Sequence, residues 1–385
     1  MTGWEGLALT VLLAPVVITA GYALLAHRAL ESWLGERAET LPNQPAGPPI
    51  TFFRPLKRGV PALRETLAQL VAALRTNDQL ILGVDPGSEE EQVAEAVRAQ
   101  FPERDVKVVP CLPGAALNPK VSKLLQMTAH AGREEWIVSD SEAWLAADFI
   151  DAFRREWERS GADVLTAAYR VVGLRTWPEQ LDAAHVLLTF LPGLALVRQY
   201  GRVGFTLGAC TALRRGDLAR VGGWRAFGED LAEDQRLGAR LAALGRTIRL
   251  SERLVTLGSD RMNWADYWRH QRRVALTWRV SNPAGFAGLI VTHGVTASAL
   301  LLCWAPTGPR GWWLILFLGI WGQRAALAGI SARRHGFPLK GLPLAVLGVS
   351  LVETVCWLAA WLVPTVWWAG RWFRVSRTGK LVPRS

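Results

Sequence analysis

The hydrophobic pattern of this chain opens on a nearly uncharged apolar run, Leu7 to Ala26, followed by His27, Arg28 and Arg37. A helix of about 20 apolar residues is long enough to cross about 30 Å of hydrocarbon, so the run predicts a membrane span over residues 1–30. It has no preceding Lys or Arg and is longer than a usual signal-peptide core, which favours a retained anchor over a cleaved leader. Positive charge after the run predicts that the next block is cytoplasmic.

Pro42 to Pro49 reads as a linker. From Ile50 to about Leu257, short apolar runs alternate with helix-period stretches. The runs are Ile50–Phe53, Leu80–Val84, Val106–Val109 and Trp136–Val138; the stretches Pro61–Arg75 and Glu89–Gln100 repeat apolar residues every three to four positions. Strands alternating with helices predict an α/β domain with a mostly parallel sheet, covered on both faces. Ligands of such sheets bind beyond the carboxyl ends of the strands, where Asp85 and Asp140 fall.

The pattern changes again at Trp177 to Val203, an apolar stretch broken by Pro178, Pro192 and Gly193 and carrying Asp182, His185 and Arg198. That irregularity predicts interfacial helices rather than a span, with a buried helical hairpin as the alternative. A second interfacial helix is expected at 263–282, closing a cytosolic domain of residues 31–282. Gly285–Ala305 and Gly311–Ile330 then read as a membrane hairpin around Pro306-Thr307-Gly308-Pro309, with Arg333, Arg334 and Lys340 on the cytoplasmic side. Leu342 to Trp368 is long for one straight span and holds Glu353 and Pro364. The basic tail 371–385 prefers the inside, so a tilted, broken or re-entrant helix is expected there. Arg324 and Glu353 either pair at membrane depth or leave Arg324 to snorkel to the inner face. The final Leu381-Val382-Pro383-Arg384-Ser385 resembles part of a protease-cleavable tag.

Composition narrows the partners. Half of the 385 residues are hydrophobic, there are 19 Trp against 4 Tyr, and Lys and Arg exceed Asp and Glu by 44 − 33 = 11. A basic excess accompanied by apolar spans and Trp points to anionic lipid and inside-positive anchoring rather than to nucleic acid. Cys111, Cys210, Cys303 and Cys356 are scattered, which predicts reduced thiols with neither a zinc site nor a disulfide framework. The pattern assigns no oligomeric state.

Two acidic clusters carry the candidate chemistry: Ser139-Asp140-Ser141-Glu142 and Ala232-Glu233-Asp234. Asp140 and Glu142, at a strand end, have the oxygen-only chemistry of Mg²⁺ or Mn²⁺ ligands, and such an ion neutralises a diphosphate. Asp234, opening a helix, is the candidate base for an attacking hydroxyl, while Glu233 has a simpler reading as a partner of the helix dipole. Lys120 follows Pro119 at a helix start and points to the same crevice. Asp85 is a candidate contact to a nucleoside, or else a turn residue. His270, Arg272 and Arg273 lie on a basic helix that anchors to headgroups or faces a leaving diphosphate.

Taken in order, these residues resemble the ceramide glucosyltransferase family and its bacterial relatives, including hopanoid-associated glycosyltransferases. Asn118-Pro119-Lys120-Val121 is similar to that family's Asn-Pro-Lys-Val stretch. Gly208-Ala209-Cys210 followed by Arg214-Arg215 resembles its acceptor-side loop, and Gly370-Arg371 resembles its C-terminus. The resemblance spans nearly the whole chain and implies an inverting, membrane-bound enzyme of GT-A fold, with its catalytic domain in the cytoplasm and, from the Arg- and Ala-rich composition, a bacterial inner membrane. By position, Asp85 would meet uridine, Asp140 the metal and Asp234 the acceptor proton, with Arg273 as the arginine of the Gln/Arg-x-x-Arg-Trp motif. Lys120, His270 and Arg272 would face a UDP-sugar, expected to be UDP-glucose. Gly208, Cys210, Glu233 and His185 would stand on the side of a lipid acceptor such as ceramide. The chain departs from the motif, reading His270-Gln271-Arg272-Arg273-Val274, and Glu142 stands where the eukaryotic ceramide enzymes have Gly. A processive polysaccharide synthase and a non-catalytic lipid-binding protein on the same frame are the alternatives.

Overall fold

The computed structural model describes residues 3–35, 47–259, 261–304 and 310–384. They form two compact units. One holds residues 47–170, 202–259 and 375–384; the other holds the N-terminal helix, Val171–Gly201 and Arg261–Arg374.

The first unit is built on a seven-stranded sheet, in the spatial order 105–110, 79–84, 50–55, 135–139, 210–214, 164–167, 248–250. The four strands from 105–110 to 135–139 run parallel; 210–214 runs antiparallel to both of its neighbours. Side chains of a strand alternate between faces, and here both faces are buried. Phe52, Leu80, Leu82 and Ile137 pack under the helices Leu63–Ala73 and Phe149–Ser160. Phe53, Ile81, Trp136 and Val138 pack under Pro119–Thr128 and Glu233–Ala243. The expected mostly parallel α/β sheet is present, and Asp85 and Asp140 follow the carboxyl ends of two of its strands.

The chain's last residues belong to this unit. Leu231 N donates to Gly379 O at 3.1 Å, Leu381 N donates to Glu229 O at 2.7 Å, and the Leu381 side chain is buried. Leu381, the first residue of the tag-like Leu381–Ser385 stretch, thus packs against this unit.

In the other unit, four helices are long and apolar enough to cross a membrane among the described residues: Leu9–Gly35, Trp177–Tyr200, Arg310–His335 and Leu342–Leu362. A pair bent by 51°, Pro283–Thr292 and Gly294–Trp304, would make a fifth. Val16, Val295, Leu301, Ile320 and Val346 share one buried cluster, so the spans pack on one another. The turn proposed at 306–309 lies outside the described residues.

Two stretches take definite form here. The 177–200 stretch is helical throughout, because its prolines are absorbed. Pro178 sits in the first turn, where no N–H is missed. Before Pro192 the turn 186–190 widens to π-helical form, and Arg324 Nη2 donates to Leu188 O, the carbonyl four residues before that proline, at 3.5 Å. The long run to Trp368 is instead cut at Leu362, two residues before Pro364. It continues as a hairpin, Thr365–Trp368 against Arg371–Val375, closed by Ala369 (φ 50°) and Gly370 (φ 77°). Positive φ at both turn residues is what a two-residue hairpin loop requires.

Candidate active site

The site assembles at the start of the helix Pro119–Thr128. Asn118 caps it, its Oδ1 accepting from Lys120 N at 3.0 Å and Val121 N at 3.2 Å, and Pro119 fills the first turn without a wasted donor. The other end of the Asn118 amide donates to Asp230 O at 3.0 Å and to Glu233 Oε2 at 2.9 Å. One side chain thus starts this helix and ties it to the helix Glu233–Ala243.

Lys120 and Lys123, one turn apart, project toward the strand ends. Lys120 Nζ lies 2.7 Å from Asp140 Oδ1 and 3.1 Å from Glu233 Oε1. Lys123 Nζ lies 2.8 Å from Asp85 Oδ1, and Arg58 Nε lies 3.5 Å from the same carboxylate's Oδ2. Burial alone would lower the Lys120 ammonium, but Asp140, Glu233 and Asp234 more than reverse this, so it stays charged.

Asp234 opens its helix beside these groups. Its Oδ1 accepts from Gln235 N at 2.7 Å, and Thr206 Oγ1 donates to its carbonyl at 2.6 Å. The helix lies so close to Phe205 and Thr206 that a Cβ at Gly238 would come within 2.3 Å of their backbone. Burial, then the neighbouring Glu233 charge, pushes the Asp234 carboxyl up to about 7, against the opposing pull of Lys120. Lys120, Gly208, Glu233 and Asp234 line one cleft with Thr206 and Trp224.

A divalent ion, implied by the resemblance, finds a free carboxylate edge at Asp140, whose other oxygen pairs with Lys120. A Cβ at position 208 would lie 2.7 Å from Asp140 Oδ2 and 3.1 Å from Lys120 Nζ, so only glycine leaves that carboxylate edge free. Glu142 is held elsewhere, ion-paired to Lys57 and accepting from Ser141 Oγ at 2.7 Å. Burial raises its carboxyl, and Lys57 and Ser141 outweigh this and lower it. Among the described residues no three His, Cys, Asp or Glu side chains converge on one point. An ion at Asp140 would therefore take its other ligands from water and donor phosphates.

Other sequence candidates fall elsewhere. Cys210 is buried within its strand and its thiol is pushed up by burial, so it presents nothing to an acceptor. Glu233 lines the cleft with Asp234 and is held there by Asn118 and Lys120. His185, His270, Arg272 and Arg273 lie in the membrane unit. His185 Nδ1 is 2.8 Å from Glu353 Oε1, and His270 Nε2 is 3.5 Å from Asp182 Oδ1. Arg272 reaches Thr365 O at 3.4 Å. Arg273 lies over the Trp368 ring at 5.9 Å, so the hairpin supplies an indole where the motif's own position is Val274. Arg324 forms no ion pair with Glu353; it donates to Ser350 Oγ at 3.3 Å, one turn earlier on the same helix.

Sequence reasoning missed Arg54, Lys57 and Lys123. Arg54 is fully buried under the acidic loop and donates to Ser141 O at 2.9 Å and to Ala143 O, fixing the backbone that carries Asp140. A lone Arg inside an apolar strand, Ile50-Thr51-Phe52-Phe53-Arg54, was the available signal.

A mannosyltransferase from Pyrobaculum calidifontis, described in complex with GDP-Man and Mn²⁺, superposes with a TM-score of 0.54 at 16% identity, covering 91% of this chain and 99% of its own. S. aureus TarS 1-349 in complex with UDP-GlcNAc matches at 0.38 and 10% identity, over 88% of this chain and 99% of its own. The first match shows a shared GT-A-like fold. A search of curated proteins returns no match. The family profile described as glycosyl transferase family 21 matches residues 11–381. Nearly the whole chain is covered, the expected family and fold are both shown, and this protein belongs to glycosyl transferase family 21, the ceramide glucosyltransferase family.

Proposed function

We propose that this membrane glycosyltransferase moves one sugar from a UDP-sugar, UDP-glucose first, to the hydroxyl of a membrane lipid such as ceramide, with inversion at the anomeric carbon. The observation that carries this reading is the meeting of Asp234 and Lys120 in one cleft beside Gly208, with Asp140 2.7 Å from the Lys120 ammonium and the Asp234 carboxyl pushed up to about 7. A carboxylate tuned to that range accepts a proton from an attacking alcohol near neutral pH. Lys120 places fixed positive charge where a departing diphosphate gathers negative charge. Bound at Asp140, Mg²⁺ or Mn²⁺ would add further neutralisation of the diphosphate. Asp85, held by Lys123 and Arg58, is assigned to the nucleoside. The roles of His270, Arg272 and Arg273 toward the diphosphate, and of a cytoplasmic site in a bacterial inner membrane, rest on the resemblance.

In-line attack by the lipid oxygen breaks the sugar–phosphate bond, its proton passes to Asp234 Oδ, and UDP leaves. An α-linked donor therefore gives a β-glycoside. The test is a transfer assay on detergent-purified protein with a panel of UDP-sugars and lipid alcohols. One sugar added per lipid by wild type, and none by Asp234→Asn, supports the reading. Polymeric sugar would make the protein a synthase, and neither product nor UDP binding would make it non-catalytic.

A further inference from the structure

Within the membrane unit, a cleft with about 440 Å³ of empty space, its open mouth included, is floored by polar groups and walled by Trp278, Phe286 and Trp357. On its floor, Glu353 Oε1 is shared by His185 Nδ1 at 2.8 Å and by Thr189 Oγ1. Gln271, also lining it, donates to Asp182 Oδ1 at 2.9 Å. His293 is only 7% exposed. Its Nδ1 meets Thr354 Oγ1 at 3.2 Å, but its Nε2 is buried with no hydrogen-bond partner among the described residues. A buried imidazole nitrogen left unpaired is costly, and it marks a place where a ligand's polar group completes the set.

The lining also sets the ligand's charge. No lysine or arginine lines the cleft among the described residues, and its one carboxylate is already matched by His185. A phosphate headgroup would be desolvated there against Glu353, with no lysine or arginine in the lining to receive it. A hydroxyl satisfies His293 Nε2 without adding charge, and the indole and phenyl walls suit chain methylenes. We propose that this cleft binds the head and first chain carbons of an uncharged, hydroxyl-bearing lipid, with His293 Nε2 as the specificity-determining partner. The inference deepens the reading of the chain as a lipid-directed transferase, but it is testable without turnover.

The probe is a ceramide carrying a diazirine near its head, added to full-length Asp234→Asn protein in phosphatidylcholine nanodiscs. Light-induced labelling should fall on peptides covering 271–293 and 353–357, be competed by unlabelled ceramide, and resist phosphatidic acid of the same chains. His293→Leu should cut labelling roughly fivefold to tenfold, while His293→Gln, which keeps a polar end, should restore most of it. Labelling elsewhere, no labelling, equal competition by phosphatidic acid, or indifference to His293→Leu would overturn the proposal. Wild-type transfer failing while labelling persists would instead sink the transferase reading and leave the cleft standing.

Discussion

Asp234 and Lys120 set the behaviour expected of single residues. A base must be unprotonated, and burial raises the Asp234 carboxyl from its ordinary value near 3.8 to about 7. Activity should therefore fall as pH drops below 7, roughly tenfold per unit, and level off above it. A pH profile of kcat/KM that stays flat down to pH 5 would remove Asp234 from the role. Asp234→Asn should lower kcat by roughly 10²- to 10⁴-fold with UDP binding unchanged, read by calorimetry. Lys120 occupies Asp140 Oδ1, so it competes with any cation for that carboxylate. In Lys120→Met, Mn²⁺ affinity without donor, followed by electron paramagnetic resonance, should rise while transfer falls. Unchanged metal affinity would mean that Asp140 is not the ion's ligand. Asp140 and Asp234 stood out as candidates in the sequence because acidic residues there follow an apolar strand or open a helix. Arg54 and Asn118 did not, since their importance lies in partners 87 and 115 residues away.

Among the elements, the hairpin 365–375 shows how composition hides conformation. Its run of Val and Trp continues the apolar helix before it, and only Pro364 and the Ala369-Gly370 pair signal the change of period. Ala369 pays for its φ of 50°. Ala369→Gly should raise stability by roughly 0.5–1 kcal/mol, seen as a higher melting temperature in detergent; a drop would mean that the turn is not of the positive-φ type. The C-terminal strand supplies a second element-scale test. Lys380 Nζ lies 3.2 Å from Asp230 Oδ2, and the Asp230 carboxylate is buried beside the loop that leads into Glu233 and Asp234. Lys380→Met strands that charge and should cost about 1–3 kcal/mol, measurable by denaturant melts, with Lys380→Arg close to wild type.

For the molecule as a whole, the parallel sheet was legible because buried strands and amphipathic helices have different periods. The unbroken helicity of 177–200 was not, because a proline's effect on a helix depends on neighbours such as Arg324 that lie far along the chain. That stretch sits between strands of the sheet-bearing unit, so excising 47–259 does not yield a membrane-free fragment. Expressed alone, it should stay with membranes through an alkaline carbonate wash, held by the 24 apolar-rich residues Trp177–Tyr200; release into the supernatant would show that this helix does not insert.

The pairing of residues 229–231 with 379–381 has a consequence for biosynthesis. The strand that completes the loop before Asp234 is made after all of the membrane-crossing candidates among the described residues. At roughly 5–20 residues per second the two partners emerge on the order of ten to thirty seconds apart. Until then the nascent chain lacks the strand that pairs with the loop before Asp234, so activity is expected only after the last of these candidate spans has been made.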